Sequence, residues 1–204
     1  VDEHGGWEGI VAARLDAESL KQYEGMRIAE IARMRERDPV STVFDLIHAE
    51  RSLSHGVHHT MNEDDVKAVM RVPWVSIGSD GSALNLKYPG KPHPRSFGTN
   101  PRVLGKYTRE EKVLTLEDAV RKMTSMPAQV LGLKDRGLLR EGYWGDVVVF
   151  DPDRVADTAT YENPKQYPEG IDYVLVNGAV VIDHGHHTGT RSGKVVYGPG
   201  KRAA

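Results

Sequence analysis

The chain contains no cysteine. Disulfides, thiol nucleophiles and cysteinyl metal ligands are therefore excluded within it, while the redox compartment stays open. Also missing is any apolar run near the roughly 20 residues that span a bilayer. No signal peptide is visible at the amino end. Neither sign of charge dominates: 27 Lys and Arg stand against 29 Asp and Glu, mixed along the chain, for a net charge of -2. That balance gives no nucleic-acid stripe and no polybasic membrane patch. Internal repeats and low-complexity segments are absent too. What remains is the profile of an ordinary soluble protein: 204 residues, 39% hydrophobic and 27% charged. Such a chain buries a real core in one or two domains, and a cytoplasmic location is expected. The sequence begins mid-phrase at Val1-Asp2-Glu3-His4. That start fits a partial or processed chain, so the missing targeting segment says little about location.

Along the chain, Trp7 to Ala13 reads as a short strand. From Leu20 through Tyr23, Met26, Ile28 and Ile31 to Met34, apolar residues recur at helical spacing and predict one solvent-faced helix. Asp38-Pro39 breaks it. A second helix, 41–50, is expected to bury Val43, Phe44, Leu46 and Ile47. Ser52 to Thr60 is a weakly patterned strand. Asn62 then caps a short helix by accepting from the amide of Asp65, with Val66, Val69 and Met70 on one face. Pro73 stops it, and the apolar strand Trp74-Val75-Ser76-Ile77-Gly78-Ser79-Asp80 follows. Strand, helix, strand, helix, strand is the grammar of a parallel α/β unit.

Residues 81–107 carry prolines 89, 92, 94 and 101 and read as a long loop, the kind that serves active sites in α/β folds. Thr115-Leu116-Glu117-Asp118 is a capping box. The helix it opens has Leu116, Ala119, Val120, Met123 and Val130 as its core face, is kinked or split by Pro127, and ends at Gly132. Beyond Leu133 the pattern turns to short strands: 146–150, 171–176, 179–183 and 194–197. Asn177-Gly178 is a strong two-residue hairpin turn.

Asp80 is the leading chemical candidate. A carboxylate at the carboxyl end of an apolar strand is where an α/β barrel places catalytic groups. Beside a metal-bound water it can take and return protons during hydrolysis. Its bland alternative is ordinary Asp-Gly turn chemistry. His55, His58 and His59 fall near a strand end, but adjacent residues of a strand face opposite sides, so His58 and His59 cannot both reach one metal without a bulge. They are expected as loop or supporting histidines. His184-Gly185-His186-His187 has metal-ligand spacing. It follows a hairpin with no strand-helix repeats after it, and is expected to be an exposed turn. The acidic run Glu63-Asp64-Asp65 is expected to start a helix, at the positive end of its dipole.

A family likeness rests on Ser79-Asp80-Gly81, His93-Pro94-Arg95, Gly98, Pro101-Arg102-Val103-Leu104-Gly105 and Leu116-Glu117-Asp118-Ala119-Val120-Arg121-Lys122-Met123-Thr124. It continues through Pro127-Ala128, Gly132-Leu133, Asp135-Arg136-Gly137, Gly142, Asp146-Val147-Val148-Val149-Phe150-Asp151-Pro152 and Val176-Asn177-Gly178. In this order they resemble the carboxyl-terminal part of the N-acyl-D-amino-acid deacylases (D-aminoacylases) of the amidohydrolase superfamily. The likeness is dense from Asn62 to Tyr197 and looser before.

The resemblance implies a metal-dependent TIM (β/α)8 barrel, an α/β fold, with a small β-sandwich. Residues 1–133 would be the last strands and helices of the barrel, and 134–204 part of the sandwich. A full barrel takes about 250 residues. The primary metal ligands would lie upstream of Val1, so the missing amino-terminal part of the same enzyme is an expected partner. The resemblance further implies zinc as cofactor, Asp80 as proton shuttle and as ligand to a loosely held second metal ion, and an N-acyl-D-amino acid as substrate. Arg95 would grip the substrate carboxylate through two hydrogen bonds, unless it pins its loop by a structural ion pair. His93 would line the pocket or stack under the loop. Arg102 and Tyr107 would order the same loop. Two other readings stay open: a hydrolase of cyclic amides such as hydantoins or dihydropyrimidines, and an inactive fragment or interaction module.

Overall fold

A computed structural model describes residues 5–51 and 55–200. Helix and sheet are mixed, and the chain divides into two compact units. The first comprises 1–66, 80–97 and 159–166; the second comprises 67–79, 98–158 and 167–204. Among the described residues no helix is long and apolar enough to cross a membrane.

In the first unit a short 3-10 turn, Gly6–Gly9, leads into strand β1, Ile10–Arg14. The expected single helix after it is two pieces, a 3-10 turn at Glu18–Tyr23 and helix α1 at Ile28–Met34. Gly25 is the reason. It has a left-handed φ of 87° and turns its amide onto the Ala12 carbonyl at 2.7 Å. Helix α2 spans Pro39–Ala49; Asp38 caps it by accepting from the Ser41 amide at 2.9 Å, with proline at the first helical position. Its inward face is not quite the expected one. Leu46 and Thr42 are buried and Val43 is partly buried, while Phe44 is 67% exposed and Ile47 39%. The core gathers Ala12, Leu15, Leu20, Ile28, Ile31 and Leu46. Beside it, the buried carboxylate of Glu50 accepts from the amides of Asp16 and Ala17 at 2.7 and 2.8 Å, which holds the chain where it leaves β1.

Strand β2 is His55–His58; residues 52–54 of the expected strand, like 1–4, lie outside the described residues. β1 and β2 pair antiparallel, Val11 opposite Val57, with a register shift between Ala12 and Arg14. The parallel grammar expected here is thus not what these two strands make. Asn62 caps helix α3, Glu63–Arg71, but its oxygen takes the Asp64 amide rather than that of Asp65.

Residues 74–80 are not a strand: no ladder forms there. A strand exists only through neighbours, and the Ile77 amide bonds instead to the Lys122 carbonyl at 3.0 Å. The two-residue alternation survives without a sheet, Val75 and Ile77 half-buried between exposed Trp74, Ser76 and Gly78. The long loop is also shorter than expected. Helix α4, Arg95–Arg102, runs into a π-helical turn at Val103–Glu110 that buries Val103, Leu104 and Tyr107. Pro101 lies in the last turn of α4, just ahead of the change from α- to π-helical winding.

The second unit continues with α5, Leu116–Met123, capped by Thr115 accepting from the Asp118 amide, and α6, Ser125–Val130. The split falls at Thr124, just ahead of Pro127, and Gly132 closes the end with φ 68°. The buried residues of this helix pair are Ala119, Lys122, Ser125, Met126 and Ala128, not Val120 or Val130, which are 36% and 76% exposed. Then comes an antiparallel sheet in the order β3 (Val147–Phe150), β4 (Ile171–Val176), β5 (Ala179–Asp183), β6 (His186–His187). Asn177-Gly178 makes the β4–β5 turn at φ 51° and 82°, and His184-Gly185 makes the β5–β6 turn at 45° and 77°. Both are paired left-handed turns of the kind that fits strand twist. The expected strand at 194–197 does not form; its place in the hairpin series is taken by His186–His187.

Candidate active site

The site is built where residues 80–82 lie along the start of α4, within the first unit. Gly81 permits the approach. A Cβ there would meet the Arg95 carbonyl oxygen at 2.8 Å and the Ser96 Cα at 2.9 Å. The Ser82 amide reaches Ser96 Oγ at 3.3 Å. Asp80 itself has φ 48°, a left-handed backbone that aspartate tolerates better than most residues. Its Oδ2 pairs with an Arg95 Nη1 at 3.1 Å. The Asp80 side chain is 85% exposed and that of Arg95 45%. An ion pair this open adds little stability.

His93-Pro94 opens α4. The Arg95 amide donates to His93 Nδ1 at 3.0 Å, and Ser96 and Phe97 turn their amides onto the carbonyls of His93 and Pro94. The imidazole thus does what a capping side chain does at a helix start. Its other nitrogen, Nε2, lies 3.2 Å from the Tyr161 hydroxyl. Burial pushes the His93 pKa down first, and the positive charges of Arg95 and His59 push the same way, against the Asp80 carboxylate. The Tyr161 ring sits 4.4 Å from the His59 ring and meets that of His93 edge-on at 5.1 Å.

Asp80, His93 and Arg95 are therefore brought together. With His55, Arg14 and Tyr88 they line a cleft of about 180 Å³. Arg14 is held by both carboxylate oxygens of Asp16, at 2.9 and 2.8 Å, and by the Tyr88 hydroxyl at 3.1 Å. A second cleft, of about 300 Å³, is lined by His59, Lys91, Tyr161 and Glu162 but not by Asp80. His59 and His55 thus belong to different clefts.

Other candidates fall where the quieter alternatives put them. Glu63, Asp64 and Asp65 form the first turn of α3. His184 is in an exposed turn, its Nε2 2.7 Å from the Tyr173 hydroxyl, whereas the exposed His186 and His187 pair with β5 as strand β6 rather than continuing the turn. Arg102 pairs with Asp157 at 3.0 Å, its guanidinium 5.8 Å from the Tyr107 ring centre. Both belong to helical turns rather than to a loop. Among the described residues, no group of three or more His, Asp or Glu is placed to hold a metal ion.

Tyr161, Tyr88 and Arg14 were not expected at the site. Tyr161 lies in residues 159–166, a stretch that belongs to the first unit although its flanks belong to the second. No local pattern marks that return. Arg14-Leu15-Asp16 at a strand end is the one signal that was available.

Asp80 is thus paired with an arginine at a helix start, and comparison with known proteins supplies the family. Residues 3–182 match the model of the amidohydrolase family, and the chain belongs to that family. More particularly, it is 44% identical over 158 residues to the N-acyl-D-glutamate deacylase of Alcaligenes xylosoxydans xylosoxydans, covering 78% of this chain and 30% of that protein. Solved structures of D-aminoacylase superpose with a TM-score of 0.83 at 35% identity, over 96% of this chain and 39% of theirs; one was described for its binuclear metal center. The N-acyl-D-glutamate deacylase of Bordetella bronchiseptica, complexed with zinc and a phosphonate inhibitor, superposes with a TM-score of 0.75 at 39% identity, over 88% of this chain and 36% of that one. The chain thus spans about a third of the length of these relatives.

Proposed function

We propose that this chain is the carboxyl-terminal portion of a metal-dependent hydrolase that cleaves N-acyl-D-amino acids to a carboxylate and a D-amino acid. The single observation that carries the reading is the Asp80–Arg95 pair at 3.1 Å, opening on a cleft in a chain of this family. Residues 1–133 are assigned to the end of a (β/α)8 barrel and 134–204 to part of a β-sandwich, the four-stranded sheet being one of its layers. In the reaction, water adds to the amide carbonyl. Asp80 accepts its proton and returns it to the leaving nitrogen as the C–N bond breaks. Arg95 is the proposed grip on the substrate α-carboxylate. Its pairing with Asp80 gives it a second role, holding the acid near the scissile bond. His93 lines the pocket and fixes the backbone of Arg95.

Zinc is the proposed metal, on the strength of the zinc-bearing relative. Asp80 is also the proposed ligand to a second ion. The described residues assemble no primary set of ligands. They do not fit a metal site by themselves, and the remaining ligands are assigned to polypeptide upstream. The isolated chain is expected to be inactive.

The test is turnover of N-acetyl-D-amino acids against hydantoins by an enzyme containing this chain and the upstream residues, alongside the 204-residue chain alone. Release of D-amino acid by the longer enzyme only supports the reading. Turnover of hydantoins alone favours the cyclic-amide alternative. Tight stoichiometric zinc and activity in the 204 residues alone would defeat the assignment of the ligands upstream.

A further inference from the structure

We propose that Tyr161 is a positioning residue for the Asp80–Arg95 pair, acting through the His93 ring; the inference rests on the function proposed above. The hydrogen bonds fix the direction of the relay. The Arg95 amide donates to His93 Nδ1 at 3.0 Å, so that nitrogen carries no proton. A neutral imidazole then carries its proton on Nε2, the nitrogen 3.2 Å from the Tyr161 oxygen. His93 therefore donates to Tyr161, and the tyrosine oxygen selects the tautomer that leaves Nδ1 free to accept. That acceptor adds to the Arg95 amide in keeping the proton on the far side from Arg95. Each link orients the next: Tyr161 sets His93, His93 anchors the first amide of α4, and Arg95, whose amide that is, holds the Asp80 carboxylate at 3.1 Å.

The surroundings suit this role. Tyr161, 46% exposed, has two imidazoles beside its ring, His59 at 4.4 Å and His93 at 5.1 Å between ring centres, and these contacts orient it. The groups facing His93 are Arg95, His59 and Asp80, two cationic or potentially cationic and one anionic. Of these, only the Arg95 amide competes for Nδ1. Tyr161 also reaches this corner from 68 residues away in sequence, which a purely local cap does not require.

The relay separates from a packing role by substitution. Tyr161→Phe keeps the ring and removes only the oxygen. His93→Asn puts an amide oxygen, a favoured helix-capping acceptor, near the Arg95 amide with no need of a tautomer. The first readout is nitrogen-15 NMR of the His93 ring in the 204-residue chain at neutral pH. The wild type is expected to show the Nε2–H tautomer, and Tyr161→Phe a measurably smaller share of it, since only the Arg95 amide then favours it. The second is steady-state turnover of an N-acetyl-D-amino acid by the longer enzyme. Tyr161→Phe is expected to lower kcat/KM by about five- to tenfold, the size of one lost hydrogen bond. It is expected to do nothing further once His93→Asn is in place.

An unchanged tautomer in Tyr161→Phe overturns the proposal. So does an equal loss from Tyr161→Phe in both backgrounds. Tyr161→Leu guards against misreading: if it alone weakens turnover and Tyr161→Phe does not, the ring matters and the hydroxyl does not. Failure of the underlying function looks different. There Asp80→Asn would leave turnover intact, whatever the His93 tautomer.

Discussion

Two charged side chains are handled in opposite ways. Lys122 is wholly buried, and its ammonium donates to the carbonyls of Val72 and Val75 at 2.5 and 3.0 Å. Asp80 is 85% exposed and pairs with Arg95 across 3.1 Å. The first arrangement makes sense as architecture. A buried cation is tolerable only when its protons are satisfied, and here it fastens a segment that has no sheet to hold it. The second contributes almost nothing to folding. Its left-handed backbone is one that Asp before Gly commonly adopts, so a functional role for the exposed charge stays with the proposal and with its test.

The contrast breaks most sharply at Asp80. Asp80→Asn is isosteric and suits the same backbone. It is expected to lower turnover of an N-acyl-D-amino acid by the longer enzyme about 10²- to 10⁴-fold, the range for loss of an acid–base group. Urea unfolding of the same variant should move by less than about 0.5 kcal/mol. Undiminished turnover by Asp80→Asn would remove the chemical half of the comparison.

Lys122 tests the structural half. Lys122→Ala leaves two carbonyls without their donor and a cavity where the stem lay, and is expected to cost about 3 kcal/mol in urea unfolding. Lys122→Met keeps the stem and is expected to cost about 2 kcal/mol. Equal stability in all three chains would show the ammonium is not a fastening. A smaller effect belongs to the hairpin. Gly178→Ala places a Cβ at φ 82°, and about 1 kcal/mol of stability should be lost.

The smallest effect is a pH dependence at His93. Its pKa is depressed in the fold by burial and by Arg95 and His59. The stability it contributes is therefore present above its ordinary value near 6.5 and is lost as pH falls through the depressed one. Thermal midpoints should drop slightly more between pH 7 and pH 5 for the wild type than for His93→Asn. A steeper drop in His93→Asn would reverse the sign and with it the account of the α4 start.

Much of the local structure was legible because local chemistry decides it. Asp38-Pro39, Asn62, Thr115, Gly132 and Asn177-Gly178 each act within a few residues, and each did what its side chain or its left-handed backbone favours. The strand expected at 74–80 failed for the complementary reason. Alternation is written in the segment, but a ladder needs a neighbour, and among the described residues the Ile77 amide finds the Lys122 carbonyl instead. Lys122 was itself invisible to a hydrophobicity reading. Ala119, Lys122 and Met126 share the buried side of α5–α6, and the middle one looks like solvent-facing charge until its acceptors are known. The trio Asp80, His93 and Arg95 was legible from motif order. Tyr161 was not, because nothing in residues 159–166 announces that the chain returns to the first unit.

The backbone of Asp80 carries a practical consequence for anyone screening variants at this position. Most L-residues resist a φ of 48°. A randomised library there would mix two kinds of casualty, proteins that lost the carboxylate and proteins whose main chain was bent out of register. Asparagine and glycine, which accept that geometry without offering a carboxylate, are the two members of such a library whose silence can be interpreted.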